Sequence, residues 1–200
     1  GYKLCKTIKE DINISHIPVI LLTARDDRQS QISGYKNGAD GYLSKPFEVE
    51  MLMELIRNRL KNREYTKKRY LNAGLIPTPE ESTISLTDET FLIKLNSIIQ
   101  ENIENSNLGI QFICQEVGLG RSSLYNKLKA LTGMGANEYI SKLRIEKAIT
   151  LISGTDMPFS EIAEKTGFTT PSYFSTAFKQ YTGETPSQYK ERKKKGLADK

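Results

Sequence analysis

The chain has 200 residues, 38% of them apolar, enough for one large or two small domains with ordinary cores; its longest purely apolar run, Val19-Ile20-Leu21-Leu22, falls far short of the roughly 20 residues that cross a bilayer. The net charge of +5 is unevenly spread: residues 1–107 carry 15 basic against 15 acidic side chains and residues 108–200 carry 14 against 9, so the basic half has the footprint of a polyanion binder. The first residues have no apolar stretch between a basic start and a small-residue cleavage site, so no secretory signal is expected there, and two distant cysteines, Cys5 and Cys114, suit a reducing cytoplasm better than a disulfide framework.

In chain order, the β-branched run 17–22 reads as a buried strand and residues 41–44 as a second. Apolar positions Val49, Met51, Leu52, Leu55, Ile56 and Leu60 recur at helical spacing, which predicts an amphipathic helix from Phe47 to about Leu60. A polar, basic stretch and the two-proline segment Pro77–Ser85 read as a linker. From Thr87 onward the pattern is helical throughout. Thr87 is the expected N-cap, with Asp88 and Glu89 in the first turn at the positive end of the helix dipole. Residues 138–152 are apolar around most of the circumference, as in a helix buried on several sides.

A repeat of about fifty residues carries the most weight. Ile113-Cys114-Gln115-Glu116-Val117-Gly118-Leu119 matches Ile162-Ala163-Glu164-Lys165-Thr166-Gly167-Phe168, and Leu124, Leu128, Lys129, Thr132 and Gly133 match Phe174, Phe178, Lys179, Thr182 and Gly183. Each copy has a short helix, a glycine suited to the left-handed conformation, a turn and a second helix, the grammar of a helix-turn-helix. In the second copy Thr170 is the expected N-cap, Pro171 the first helical residue, and Thr185 through Gln188 a capping box for a last helix.

At about 100° per residue, Leu124, Leu128 and Leu131 point inward in the first copy, leaving Ser122, Asn126 and Lys129 outward and Tyr125 at the edge. Phe174, Phe178 and Tyr181 point inward in the second, leaving Ser172, Thr176 and Lys179 outward with Ser175 at the edge. Short hydrogen-bonding side chains near each helix start, followed by a lysine, suit base edges first and a phosphate afterwards. The candidate DNA-contacting residues are Arg121, Ser122, Ser123, Tyr125, Asn126 and Lys129 in the first helix, and Thr170, Pro171, Ser172, Ser175, Thr176 and Lys179 in the second. Arg121 fits either a phosphate or a guanine.

Over residues 88–190 the sequence resembles the AraC-type transcription regulators. The resemblance rests on Arg144-Ile145-Glu146-Lys147-Ala148, on Gly167-Phe168 through Tyr173-Phe174-Ser175 to Phe178-Lys179-Gln180-Tyr181-Thr182-Gly183, and on Thr185-Pro186-Ser187-Gln188-Tyr189. It implies a seven-helix double helix-turn-helix whose second helices enter the major groove of double-stranded DNA in two successive turns, roughly 34 Å apart. Family members often carry a long basic or amide side chain where this chain has Asn126 and Thr176.

The opening region resembles the second half of a response-regulator receiver, a flavodoxin-like α/β domain. Thr23, Tyr42 and Lys45-Pro46-Phe47 match its switch hydroxyl, switch aromatic and phosphate-contacting lysine. Its phosphoacceptor and metal-binding carboxylates would precede Gly1, so neither phosphorylation nor a metal site is expected in this segment. Asp26, Asp27 and Asp40 read as capping or turn residues. An incomplete parallel sheet cannot cover both faces, so residues 1–60 are expected to be loosely ordered or paired with another chain.

Leu75-Ile76-Pro77-Thr78-Pro79-Glu80-Glu81, Ile84 and Asp88-Glu89-Thr90-Phe91-Leu92 resemble the junction of hybrid two-component regulators, which by analogy control glycan uptake and breakdown. The resulting division is a mainly α chain: receiver portion 1–62, linker 63–86, DNA-binding domain 87–192 and basic tail 193–200.

No catalytic cluster and no cofactor motif emerges. The lone His16 reads as a packing or edge residue, and Cys114, in the small slot that Ala163 fills in the other copy, as a buried thiol. A protein-docking module is the competing reading, with RNA polymerase or a second copy of the chain as partners beside DNA. Salt dependence separates the two, because each neutralised phosphate releases counterions.

Overall fold

The computed structural model describes residues 1–73 and 85–198. Its elements run α1 (Tyr2–Glu10), β1 (Ile20–Thr23), α2 (Arg28–Lys36), β2 (Gly41–Ser44), α3 (Val49–Ala73), α4 (Leu86–Glu101), α5 (Ile110–Val117), α6 (Arg121–Thr132), α7 (Ala136–Gly154), α8 (Phe159–Lys165), α9 (Pro171–Thr182) and α10 (Pro186–Ala198). Two compact units result, one built from Gly1–Lys94 and Leu119–Met134, the other from Leu95–Gly118 and Gly135 onward.

In the first unit β1 and β2 pair in parallel, with Ile20 opposite Gly41 and Thr23 opposite Ser44. β1 begins later than residue 17. The carbonyl of Ile17 instead accepts a hydrogen bond from the Lys9 ammonium at 2.8 Å, and Pro18 has no N–H to give a ladder. Leu22 remains 43% exposed on β1 while Tyr42 and Leu43 of β2 are buried, the uneven cover expected of a partial sheet. The fragment shares its compact unit with the start of α4 and with α6.

Asp27 caps α2, accepting from the Ser30 amide at 2.8 Å. Asp40 accepts from the Val19 amide and pairs with Lys9, both at 2.7 Å, so both carboxylates are structural. Cys5 is buried, and burial pushes its thiol pKa up.

The helix expected to end near Leu60 continues as α3 to Ala73. Residues 61–73 contain neither glycine nor proline, and pairs such as Glu64–Lys67 at 2.7 Å support the exposed face. The first part of the expected linker is therefore helical, while 74–84, including most of the expected junction motif, lie outside the described residues. α4 starts earlier than expected: the Ser85 hydroxyl accepts from the Asp88 amide at 3.2 Å. Thr87, the expected cap, instead donates its hydroxyl to the Lys9 carbonyl at 2.9 Å. Asp88 and Glu89 occupy the first turn of α4, as read.

The second unit has a core of Ile145, Ala148, Ile152, Ile162, Ala163, Phe168, Phe174, Phe178 and Tyr189. Its aromatic rings meet edge-on or tilted, Phe168–Phe174 at 5.4 Å, Phe174–Phe178 at 5.7 Å and Phe178–Tyr189 at 5.5 Å between centroids, the geometry aromatic quadrupoles favour. α7 is buried on several faces, Tyr139, Leu143, Arg144, Ile145 and Ala148 included. Arg144 donates to the Asn105 carbonyl at 2.7 Å and lies over the Phe168 ring.

Two expectations change here. Tyr181 does not point inward: it is 40% exposed and donates its hydroxyl to Glu146 at 3.3 Å. Burial raises the Glu146 carboxyl pKa against the opposing pull of Lys142, 3.6 Å away. Cys114 is only partly buried, unlike Ala163. Arg192, Lys193, Lys194 and Lys195 lie on α10, which runs to Ala198.

Candidate nucleic-acid interface

Each candidate helix is bounded by local chemistry that the repeat announces. α5 ends at Gly118, whose φ of 72° is left-handed, and Gly167 follows α8 with φ 71°. α6 closes on Gly133 at φ 78° and α9 on Gly183 at φ 84°, the glycine C-cap arrangement. Thr170 caps α9 by accepting from the Tyr173 amide at 3.2 Å, with Pro171 in the first turn. The Thr185 and Gln188 side chains bond each other's amides at 2.9 and 3.3 Å, a capping box at the start of α10. Nothing comparable caps α6, where Gly120 precedes Arg121.

On α6, Leu124, Leu128 and Leu131 are buried. Arg121, Ser122, Tyr125, Asn126 and Lys129 are exposed and Ser123 is half-buried. On α9, Phe174 and Phe178 are fully buried, whereas Thr170, Pro171, Ser172, Thr176 and Lys179 are exposed and Ser175 is half-buried. Equivalent positions of the two copies thus match: Ser122 with Ser172, Asn126 with Thr176, Lys129 with Lys179. The Thr176 hydroxyl donates to the Ser172 carbonyl at 3.1 Å, which engages its proton within the helix and leaves its oxygen lone pairs as acceptors.

Two residues on these helices escaped the sequence reading. Tyr173 is 54% exposed at the start of α9, its ring edge-on to Phe168. Lys127, in the middle of α6, is fully buried. Helical arithmetic contained the signal: Lys127 lies about 60° from Leu124 and about 40° from Leu131, inside the apolar arc, and its charge masked that placement.

The receiver-like residues come together at one end of the strand pair. Thr23 closes β1, its hydroxyl accepting from the Arg25 amide at 3.2 Å, and its carbonyl accepts from the Lys45 amide at 2.6 Å. Tyr42 is buried and donates to the Arg25 carbonyl at 2.8 Å; Lys45 is exposed. His16 is half-buried, its Nδ1 without a hydrogen-bond partner among the described residues. No helix among the described residues is long and apolar enough to cross a membrane.

Comparison with known proteins fits both regions. Residues 113–192 match the family of the helix-turn-helix domain, and residues 1–57 that of the response regulator receiver domain. A protein named histidine kinase P4 from Formosa agariphila is 42% identical over 192 residues, 96% of this chain but 14% of that protein. The transcriptional regulatory protein YesN of Bacillus subtilis is 33% identical over 121 residues, covering 59% of this chain and 32% of its own length. Among solved structures, the C-terminal domain of AraT, a response regulator from Geobacillus stearothermophilus, is 31% identical, covers 51% of this chain and 84% of that one, and superposes with a TM-score of 0.48. The chain therefore spans a third or less of these two full-length relatives.

Proposed function

Because this chain belongs to the regulators that join a response-regulator receiver to an AraC-type helix-turn-helix domain, we propose that α6 and α9 are its two DNA-reading helices, entering successive major-groove turns of double-stranded DNA. The observation that carries this reading is the repeated outer face: Ser122, Asn126 and Lys129 on α6, and Ser172, Thr176 and Lys179 on α9, all exposed at equivalent registers. One exposed polar face is ordinary; two in the same phase, each backed by buried apolar residues, favour a shared ligand with a repeating surface. Asn126 has the geometry to pair bidentately with adenine, and Thr176 offers acceptors and a methyl to base edges. Lys129 and Lys179 serve phosphates, and Arg121, Ser123, Tyr125, Thr170, Pro171 and Ser175 flank the same surface.

As the output element of a two-component regulator, the chain performs no catalysis and takes no cofactor in this reading. It acts where the genome is, in the cytoplasm. Thr23, Tyr42 and Lys45 form the switch end of the receiver portion. RNA polymerase and a second copy of the chain are the protein partners we assign, and genes for glycan use the targets, by analogy with hybrid regulators. Functionally we divide the chain at 62, 86 and 192.

Selection of bound duplexes from a random DNA pool tests the proposal. A bipartite motif with centres about one helical turn apart is expected, with affinity falling steeply as salt rises. Salt-insensitive binding, or no enriched motif, would replace it with a protein-docking role.

A further inference from the structure

α6 carries a charge that no DNA-reading role explains. The Lys127 ammonium is fully buried, and burial pulls its pKa down against the opposing carboxylate of Asp88. An ammonium has three N–H donors, and leaving one unmatched in the interior costs about 1–3 kcal/mol or more. Lys127 contacts Asp88 Oδ1, the first-turn carboxylate of α4. It also donates to the Ser15 hydroxyl at 2.7 Å and stands 5.1 Å from the centre of the Phe91 ring, within cation–π range.

Ser15 closes the ring of contacts. Fully buried in the loop between α1 and β1, it donates its one proton to Asp88 Oδ1 at 2.7 Å while accepting from Lys127. Its backbone is fixed as well: its carbonyl accepts from Lys9 at 3.2 Å, the same ammonium that holds Ile17 and Asp40. Thr87, beside Asp88, is tied to the Lys9 carbonyl. The receiver portion therefore supplies one of the two oxygens that accept from a buried ammonium on α6, from a loop that cannot swing away without breaking four polar contacts.

We propose that Ser15 is a positioning residue for DNA reading: through Lys127 and Asp88 it sets the rotation of α6 about its axis, so that the receiver portion governs where Asn126 and its neighbours point. This rests on the assignment of α6 as a DNA-reading helix. The lever is steep, because bidentate base contacts tolerate only about 10–20° of misorientation, and Asn126 is the residue immediately before Lys127. The hydrogen bond of Ser15 to α6 is made to Lys127, and its influence on DNA runs through that buried ring.

The test compares binding of the chain to its selected duplex and to a random duplex at fixed salt. Ser15→Ala is expected to lower the specific-to-random affinity ratio about tenfold, a coupling of ordinary size for groups in one network, without changing the salt slope, since no phosphate contact is lost. Ser15→Thr, which keeps the hydroxyl, is expected to restore the ratio. In a Lys127→Met background, Ser15→Ala is expected to have no further effect. Should Ser15→Ala fail to fold, Ser15→Cys carries the same test, exchanging a strong hydrogen-bond partner for a weak one of similar size. A Ser15 variant within twofold of the parent, while Asn126→Ala still lowers the ratio, would reduce the ring to a stabilising contact and overturn the proposal. If Asn126→Ala is equally silent, α6 does not read DNA and the proposal falls with that assignment.

Discussion

A Cβ placed on Gly167 would fall 2.2 Å from the carbonyl oxygen of Ile103 and 2.9 Å from the Arg144 guanidinium. Gly118, its counterpart in the first copy, has the same left-handed backbone but nothing within 4 Å of such an atom. Gly118→Ala should therefore carry only the left-handed strain, about 1 kcal/mol. Gly167→Ala adds a clash with backbone that cannot yield and should cost more than about 4 kcal/mol or prevent folding. Thermal unfolding of the two variants checks this; equal losses would refute it.

Thr170→Ala should destabilise by about 1 kcal/mol, the usual loss for an N-cap hydroxyl, because its oxygen accepts from Tyr173. Thr170→Ser should recover most of it. Urea midpoints at constant slope are the measurement.

Lys179→Ala should weaken binding to every duplex alike and reduce the salt slope by about 0.9. Thr176→Ala should instead change preference at particular base pairs with the slope intact. Titrations across salt concentrations, on selected and scrambled duplexes, separate the two behaviours.

Glu146 gives the second unit a pH dependence. Its folded pKa is raised, first by desolvation, above the ordinary 4.5. The folded state thus holds the proton more tightly, so the contribution is favourable below pH 4.5 and is lost as pH rises through the higher folded value. Glu146→Gln keeps an acceptor for Tyr181 and removes the titration. Relative to the parent it should gain stability from pH 4.5 to 7.5 in denaturant unfolding, although loss of the Lys142 pairing trims the gain. A constant difference across that range would contradict the burial argument.

What could be read in advance follows from how local each cause is. The glycines at 118 and 167, the Thr170 cap and the Thr185–Gln188 box depend on neighbours within a few residues, and each stands where the spacing put it. Tyr181 misled because an aromatic on an apolar stripe looks like core, whereas here its hydroxyl reaches the α7 carboxylate of Glu146. Thr87 lost its capping role to Ser85 because a partner 78 residues away, the Lys9 carbonyl, claimed its hydroxyl. Lys127 was hidden for a similar reason: its partners, Ser15 and Asp88, come from distant segments, and no periodicity reports them. On the candidate interface, exposure of Asn126, Lys129, Thr176 and Lys179 was legible because it is the complement of a buried stripe.

α3 is one unbroken helix in which Leu55 lies against Gly41 of the sheet, while Arg63, two turns on, shares a small cavity with Ala130 and Leu131 at the far end of α6. Those two docking faces are phased by their separation of eight positions along the helix. Adding or deleting a single residue there would turn one face by about 100° against the other, whereas a change of seven residues would nearly restore the phase. Sequence length in this stretch is consequently quantised, and chimeras that graft a foreign receiver onto this output module should work only when the splice preserves helical phase.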